Sequence, residues 1–540
     1  MKPGRARLLW RLLRGALLTA ALGWAGVSAQ GLGPPVQELS RLYQADDYQP
    51  MWLDVANRPN QAADDALALL GDAATHGLNP ADYQARELAA VAAVLKAGTP
   101  PVDHAVLAEF ELRLSLGMLR YLRDLHVGRV DPRAMRFGVP SRTEEHDFAV
   151  VLRSALADGG LLQKAAEMAP ALAQYRSLRA ALARYRSLAA APALPPLPAI
   201  ERSIRPGDPF AAARALHRRL VAVGDLPASE TMPDDAPSTY SGMLVEGVKR
   251  FQHRHGLAVD GTLGKSTQAA LLVPLGWRVR QIELALERLR WLPHLGEQPF
   301  VAINIPMFRL WARDPAPSRA GPSLDMAVIV GRALDTQTPL FMDEMTHLIF
   351  RPYWNVPRSI VRNEILPALR RDPAYLQRQD MEIVRGAGDD AQPVPASAEN
   401  ISLLRQGVLR LRQRPGPRNS LGLVKFVFPN DANVYMHDTP AQQLFSRTRR
   451  DFSHGCVRLE DPVALAEWAL RDQPQWTRER IVAAMQGTKT VQANLTRPVR
   501  VVLYYVTATV MRADGAIHFA EDIYGHDRTL DAALSLRQRR

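Results

Sequence analysis

The sequence is almost without cysteine: among 540 residues only Cys456 carries a thiol. A lone cysteine excludes any disulfide within the chain, so this one is either an inert packed side chain or a reactive nucleophile. Metal-ligand spacing is lacking as well. Cys456, His454 and His437 have no fourth ligand at a recognisable interval, and neither a metal nor another cofactor is expected. The net charge is +12, yet no compact basic block interleaved with aromatics is present, which argues against nucleic acid as a partner. The uncharged run from Gly15 to Ala29 falls short of the about 20 residues that span a bilayer.

That run follows Lys2, Arg5, Arg7, Arg11 and Arg14 and ends in Val27-Ser28-Ala29 before Gln30. The pattern predicts a signal peptide over 1–29 and a mature chain in the periplasm or cell envelope, with an uncleaved N-terminal membrane anchor as the alternative. Without the leader the charge falls to about +7, which suits an anionic wall or membrane surface. The remaining length exceeds what one core serves, so two to four domains are expected.

Residues 30–188 read as a helical scaffold, with Leu67, Leu70, Ala74, Leu112, Leu114, Leu119, Leu122 and Leu125 near helical spacing and turns at His76–Pro80 and Gly128–Pro132. A proline-rich linker occupies 189–208. A small helical module follows over 209–275, where Leu244, Val248 and Phe251 form one apolar face. Next comes a connecting helix over 276–297, with Ile282, Leu286 and Leu289 available to pack back on the scaffold. From 298 to 540 the period changes to short β-rich runs at Phe300–Ile305, Met326–Val330, Val408–Leu411, Val424–Phe428 and Arg500–Val506. A helical, charged insert at about 359–414 interrupts them and is expected to be a lid. The fold class is therefore α+β and multi-domain, with a C-terminal mostly-β domain.

A catalytic cysteine needs a base or a positive environment. His437, nineteen positions before Cys456, is the candidate base. If Asn433–His437 is a strand, Tyr435 and His437 share one face and Asp438 takes the other. A backbone carbonyl or a hydroxyl, rather than the Asp438 carboxylate, would then orient the imidazole. The N–H groups of Gly455 and Cys456 can receive the oxygen of a tetrahedral intermediate. Arg458 can stabilise a thiolate or bind a substrate carboxylate. Asp461-Pro462 predicts a helix from Pro462 to about Leu470, starting too late to act strongly on the thiol.

Phe251-Gln252, His255-Gly256-Leu257, Val259-Asp260-Gly261, Gly264 and Thr267 resemble the three-helix peptidoglycan-binding module of bacterial wall enzymes. Ser453-His454-Gly455-Cys456-Val457-Arg458, with Tyr435-Met436-His437-Asp438-Thr439-Pro440 upstream, resembles the active-site motif of the L,D-transpeptidases of peptidoglycan. Pro352–Pro357, Gly416 with Asn419–Gly422, and Asp522–Gly525 are similar to further elements of the large multi-domain subtype. The resemblance implies that Cys456 attacks the diaminopimelate to D-alanine bond of a tetrapeptide donor stem, releasing D-alanine. A diaminopimelate amine of an acceptor stem then resolves the thioester as a 3-3 cross-link. It further implies His437 as base, His454 and Gly455 as shapers of the nucleophile turn, and Tyr435, Trp354, Ser453 and Arg458 around the substrate. Peptidoglycan is the expected partner, with wall-synthesis proteins as further candidates.

Water or a lipoprotein amine as acceptor would instead give a carboxypeptidase or an anchoring transpeptidase. A wall-binding scaffold protein without activity is the non-enzymatic alternative, and it predicts loss of the nucleophile, which is present. Papain-like peptidases place cysteine before histidine, opposite to the order here, and the strand-end motif of sortases is absent.

Overall fold

The computed structural model describes residues 34–44, 49–98, 103–140, 142, 146–232, 238–292, 295, 298–314, 323–334, 336–388 and 390–538. The segment expected to be a signal peptide, 1–29, lies outside them. No helix among the described residues is long and apolar enough to cross a membrane. Two compact units divide the chain. The first draws on Met1–Met135, Val139–His294 and Val506–Arg540, the second on Arg136–Gly138 and Leu295–Tyr505.

The first unit is helical. Its longest helix, His104–Val127, starts where the Asp103 carboxylate accepts the Ala105 N–H at 3.1 Å, and it buries the predicted stripe Leu112, Leu114, Leu119, Leu122 and Leu125. Gly128 ends it at φ +86°, where a Cβ would lie 2.8 Å from Trp291 Nε1 and 2.9 Å from Glu287 Oε1. Only glycine fits this left-handed, crowded corner. The next two residues, Arg129 and Val130, donate their N–H groups to buried Glu287. Glu287 belongs to helix Leu275–Trp291, which buries Ile282, Leu286 and Leu289 and packs on helix Ala173–Ala190.

The module expected to bind peptidoglycan lies in the same unit as helices Ala213–Val223, Met243–Arg254 and Lys265–Leu272 around Leu216, Leu220, Val248, Phe251 and Leu263. Its signature residues form a structural knot. The Gln252 amide donates to Asp260 Oδ1 (2.9 Å), the Thr262 carbonyl (3.0 Å) and Thr267 Oγ1 (3.1 Å) and accepts from the Gly261 N–H (2.9 Å).

Residues 506–540 were grouped by sequence with the β domain, but the described ones, 506–538, pack within the helical unit. They form a hairpin of Ala508–Val510 with Ile517–Phe519 and a helix, His526–Gln538. Leu530 and Leu534 are buried there, and Arg537 pairs with buried Asp124 at 2.8 and 3.0 Å. Burying these apolar groups and satisfying Asp124 outweighs continuity with the preceding strand.

The second unit contains strands β1 (Phe137–Gly138), β2 (Phe300–Asn304), β3 (Arg309–Arg313), β4 (Leu324–Gly331), β5 (Leu340–Phe350), β6 (Trp354–Asn355), β7 (Met381–Arg385), β8 (Gln392–Val394), β9 (Arg410–Gln413), β10 (Val424–Val427), β11 (Met436–His437), β12 (Asp451–Ser453), β13 (Val457–Leu459) and β14 (Val491–Tyr504). The main sheet runs β1-β5-β10-β11-β13-β4-β3-β2-β14, with β12 beside β4, and β14 pairs again with β5, so the sheet closes on itself. Val301, Ile303, Val328, Val330, Leu348, Val424, Phe426, Val501 and Leu503 fill its core.

The insert is a small structure of its own. A second sheet, β6-β9-β7-β8, packs with short helical turns over 358–371 around Ile360, Ile365, Leu366, Met381, Ile383 and Leu411. Two expectations change here. The Val408–Leu411 run does not belong to the main sheet, because Arg410–Gln413 pairs with β6 and β7 of the insert. Nor is Asn433–His437 one strand: Asn433 sits at φ +52° and only Met436–His437 pairs, since a left-handed residue breaks the pleat.

Candidate active site

Cys456 sits in the turn between β12 and β13. Gly455 has φ +114°, a conformation closed to residues with a Cβ. Ser453 fastens the turn from inside, its hydroxyl donating to the Cys456 carbonyl at 2.5 Å and accepting the Gly455 N–H at 3.1 Å. Thr338 fastens it from outside: its hydroxyl accepts the Gly331 N–H (2.8 Å) and donates to the Gly455 carbonyl (2.9 Å). As the turn stands, the Gly455 N–H is directed to Ser453 Oγ and not to an open oxyanion position.

Parallel pairing of β11 with β13 sets Met436 against Val457 and His437 against Arg458, and the Val457 N–H bonds the Tyr435 carbonyl at 3.0 Å. The same pairing brings Tyr435 beside Cys456. The Tyr435 and His437 rings lie 5.8 Å apart, edge to face. His437 is buried, and its Nδ1 lies 2.5 Å from its neighbour Asp438's carbonyl oxygen. A carbonyl can only accept, so Nδ1 donates its hydrogen to Asp438, and the ring also hydrogen-bonds the Leu421 carbonyl.

The Asp438 carboxylate is occupied elsewhere. It accepts from the Leu423 N–H at 2.8 Å and the Thr439 N–H at 2.7 Å. Gly422, at φ +62°, lies so close that a Cβ would be 2.3 Å from Asp438 Oδ2. The glycine turn noted in the sequence is thereby tied to the residue after His437.

Burial, and then the Arg458 charge, push the His437 imidazole down to about 3, against the pull of the Asp438 and Leu421 carbonyls. Burial raises the Cys456 thiol above its ordinary value, opposed by hydrogen bonds from Tyr435 and by the charges of Lys425 and Arg458. At neutral pH the substrate-free site therefore holds a neutral thiol and a neutral imidazole.

Around this pair, Trp354 hydrogen-bonds with the Tyr435 hydroxyl, and Lys425 Nζ lies 3.8 Å from the centroid of the Tyr435 ring. His454 points away from the thiol to the insert, its Nε2 2.6 Å from Glu364 Oε1. The structure thus brings Tyr435, Ser453, Gly455 and Arg458 to Cys456, Trp354 to the Tyr435 hydroxyl and His437 opposite Arg458 on the paired strand, while His454 pairs with Glu364 of the insert.

Three residues were not singled out in the sequence: Lys425, Thr338 and Glu364. Lys425 carried a signal, a cation inside a buried β run. Thr338 and Glu364 carried none, because their role depends on contacts 117 and 90 residues distant.

Comparison with known proteins divides the chain in the same order. A scaffold domain model matches 37–182, a model described as "Putative peptidoglycan binding domain" matches 211–271, and an L,D-transpeptidase catalytic domain model matches 298–500. A curated protein of Haemophilus influenzae, a "Putative L,D-transpeptidase", is 32% identical over 255 residues, 47% of this chain and 49% of that protein. The chain spans about half the length of this relative.

Proposed function

We propose that this protein, which carries a scaffold domain, a peptidoglycan-binding domain and an L,D-transpeptidase catalytic domain, cross-links peptidoglycan outside the cytoplasm through a thioester on Cys456. The observation that carries the reading is the lone thiol in a tight turn just before β13, with Tyr435, Lys425 and Arg458 acting on it, while the paired strand β11 carries a buried, neutral histidine whose Nδ1 is tied to a backbone carbonyl.

The Cys456 thiol passes its proton to His437 Nε2 as the sulfur attacks the carbonyl of the diaminopimelate to D-alanine bond. Lys425, Arg458 and the Tyr435 hydroxyl stabilise the negative charge on sulfur, each of them already lowering the thiol pKa against burial. The Cys456 N–H is the donor for the tetrahedral oxygen, contributing on the order of 3 kcal/mol. An imidazolium next to Arg458 is unfavourable, so His437 returns the proton readily to the departing D-alanine nitrogen, leaving the thioester. A diaminopimelate side-chain amine of an acceptor stem then attacks, losing a proton to His437, and the thiol is restored with a 3-3 link formed.

Mass analysis of muropeptides after incubation with tetrapeptide-containing peptidoglycan tests the reading. Cross-linked tetrapeptide–tripeptide dimers with D-alanine release support it. Tripeptide monomers alone identify a carboxypeptidase, and unchanged muropeptides refute it.

A further inference from the structure

The helical unit holds a cluster that the proposed chemistry does not use. His253 lies near the end of module helix Met243–Arg254, and Asp514 and His518 lie on the C-terminal hairpin. Their ligand atoms are all within 4.8 Å of one another. His518 Nε2 is 2.8 Å from Asp514 Oδ2, and His253 Nδ1 is 4.0 Å from the same oxygen. Tetrahedral zinc with bonds of about 2.0–2.1 Å needs ligand atoms roughly 3.3 Å apart. The 2.8 Å separation must open by roughly 0.5 Å, the 4.0 Å separation close by roughly 0.7 Å, and the distance between the two histidine nitrogens, within 4.8 Å, settle with them; the His253 side chain, 64% exposed, is able to make that adjustment.

The two elements are already locked in register. Arg254, the residue after His253, makes a buried pair with Asp225 at 2.6 and 2.7 Å and donates to the Ile517 carbonyl, one residue before His518, at 2.7 Å. Asp514 Oδ1 accepts the Ala516 N–H at 2.9 Å, leaving Oδ2 toward the histidines. Two imidazoles and one carboxylate on a prealigned frame are a donor set suited to zinc.

We infer that His253 Nδ1, Asp514 Oδ2 and His518 Nε2 form a binding site for a zinc-class divalent cation, with water as fourth ligand, which clamps the C-terminal hairpin to the peptidoglycan-binding module. The inference does not depend on the reaction proposed for Cys456.

The test is calorimetric titration of the chelator-treated full chain with zinc chloride, repeated for Cys456→Ala, His253→Ala and Asp514→Asn, with circular dichroism confirming the fold of each. One ion per chain is expected, unchanged in Cys456→Ala and weakened by more than about tenfold in His253→Ala and Asp514→Asn. Cobalt in place of zinc should show tetrahedral d–d absorption without a thiolate charge-transfer band. Absence of saturable binding, affinity that survives His253→Ala, or a thiolate band would each overturn the assignment.

Discussion

His437 and Asp438 divide the work of orienting the site between backbone and side chain: the Asp438 carbonyl lies 2.5 Å from His437 Nδ1, while the Asp438 carboxylate holds the N–H groups of Leu423 and Thr439. The carboxylate is thus engaged by backbone N–H groups, and it is the carbonyl of Asp438 that meets the ring. Asp438→Ala is therefore expected to cost about 1–3 kcal/mol of stability through unsatisfied N–H groups, while D-alanine release by the folded fraction falls less than about tenfold. Thermal denaturation alongside a D-alanine assay checks this, and a catalytic loss as large as that of His437→Ala would refute it.

Replacing the nucleophile gives the sharpest contrast. Cys456→Ala should abolish D-alanine release and cross-linking with little change in melting temperature. His437→Ala should slow acylation by about 100-fold or more, leaving a residual rate that rises with pH as hydroxide supplies the thiolate. Carbapenem adducts should appear once per chain, at Cys456. D-alanine release by Cys456→Ala would end the proposed mechanism.

The His437 shift predicts an unusual pH profile. With the imidazole down to about 3, kcat/KM in the free enzyme should show no acid limb from this ring between about pH 8 and pH 5. An ordinary histidine would show one near 6.5. Because the folded value is depressed, the unfolded chain takes up the proton first. The stability this buried ring contributes is present above 6.5 and is lost as pH falls toward 3. The melting temperature should thus decline from pH 7 to pH 5, and His437→Gln should flatten that decline. A wild-type rate limb at 6.5 would contradict the geometry.

Much of this site was legible because it is local. Ser453 to Arg458 is one turn and its flanking strand, and Asp461-Pro462 announces a helix that runs Pro462–Leu470, with Asp461 capping Ala464 at 2.9 Å. Spacing also led to the expectation of a backbone carbonyl or a hydroxyl on His437, and the Asp438 carbonyl is there. What the sequence did not reveal is long-range. Short β runs such as Arg410–Gln413 carry no label saying which sheet receives them, and the partner of Asp124 lies 413 residues away. The Gly455 N–H was expected to serve an oxyanion, but Ser453 Oγ, two residues away, accepts it, an outcome decided by side-chain rotation rather than by spacing.

The insert offers a fourth test. Glu364 meets His454 at 2.6 Å, and both side chains are partly exposed. A double-mutant cycle with Glu364→Gln and His454→Gln should give a coupling of about 0.2–1 kcal/mol, expressed in KM for the donor stem more than in kcat. Removal of the insert should impair donor turnover while the closed sheet stays folded. Unchanged kinetics in a folded deletion variant would dismiss the lid.

Gln252 makes the module's signature testable. Gln252→Ala strips four hydrogen bonds from the loop over 260–267 and should lower the module's stability by about 2–3 kcal/mol. Retention of the isolated 209–275 segment on purified sacculi should fall with it. If the wild-type segment is not retained above a control protein, the module is a spacer.

The pairing of Arg537 with Asp124 also sets an order of assembly. A chain made from its N-terminus contains Asp124 long before Arg537, the cation that pairs with it in the buried interior. The helical unit therefore completes its packing only once Arg537 has been made, by which time every strand of the second unit already exists. Truncation near the C-terminus should consequently damage the first unit made, not the last, and a chaperone acting on this protein would find its client in the oldest part of the chain.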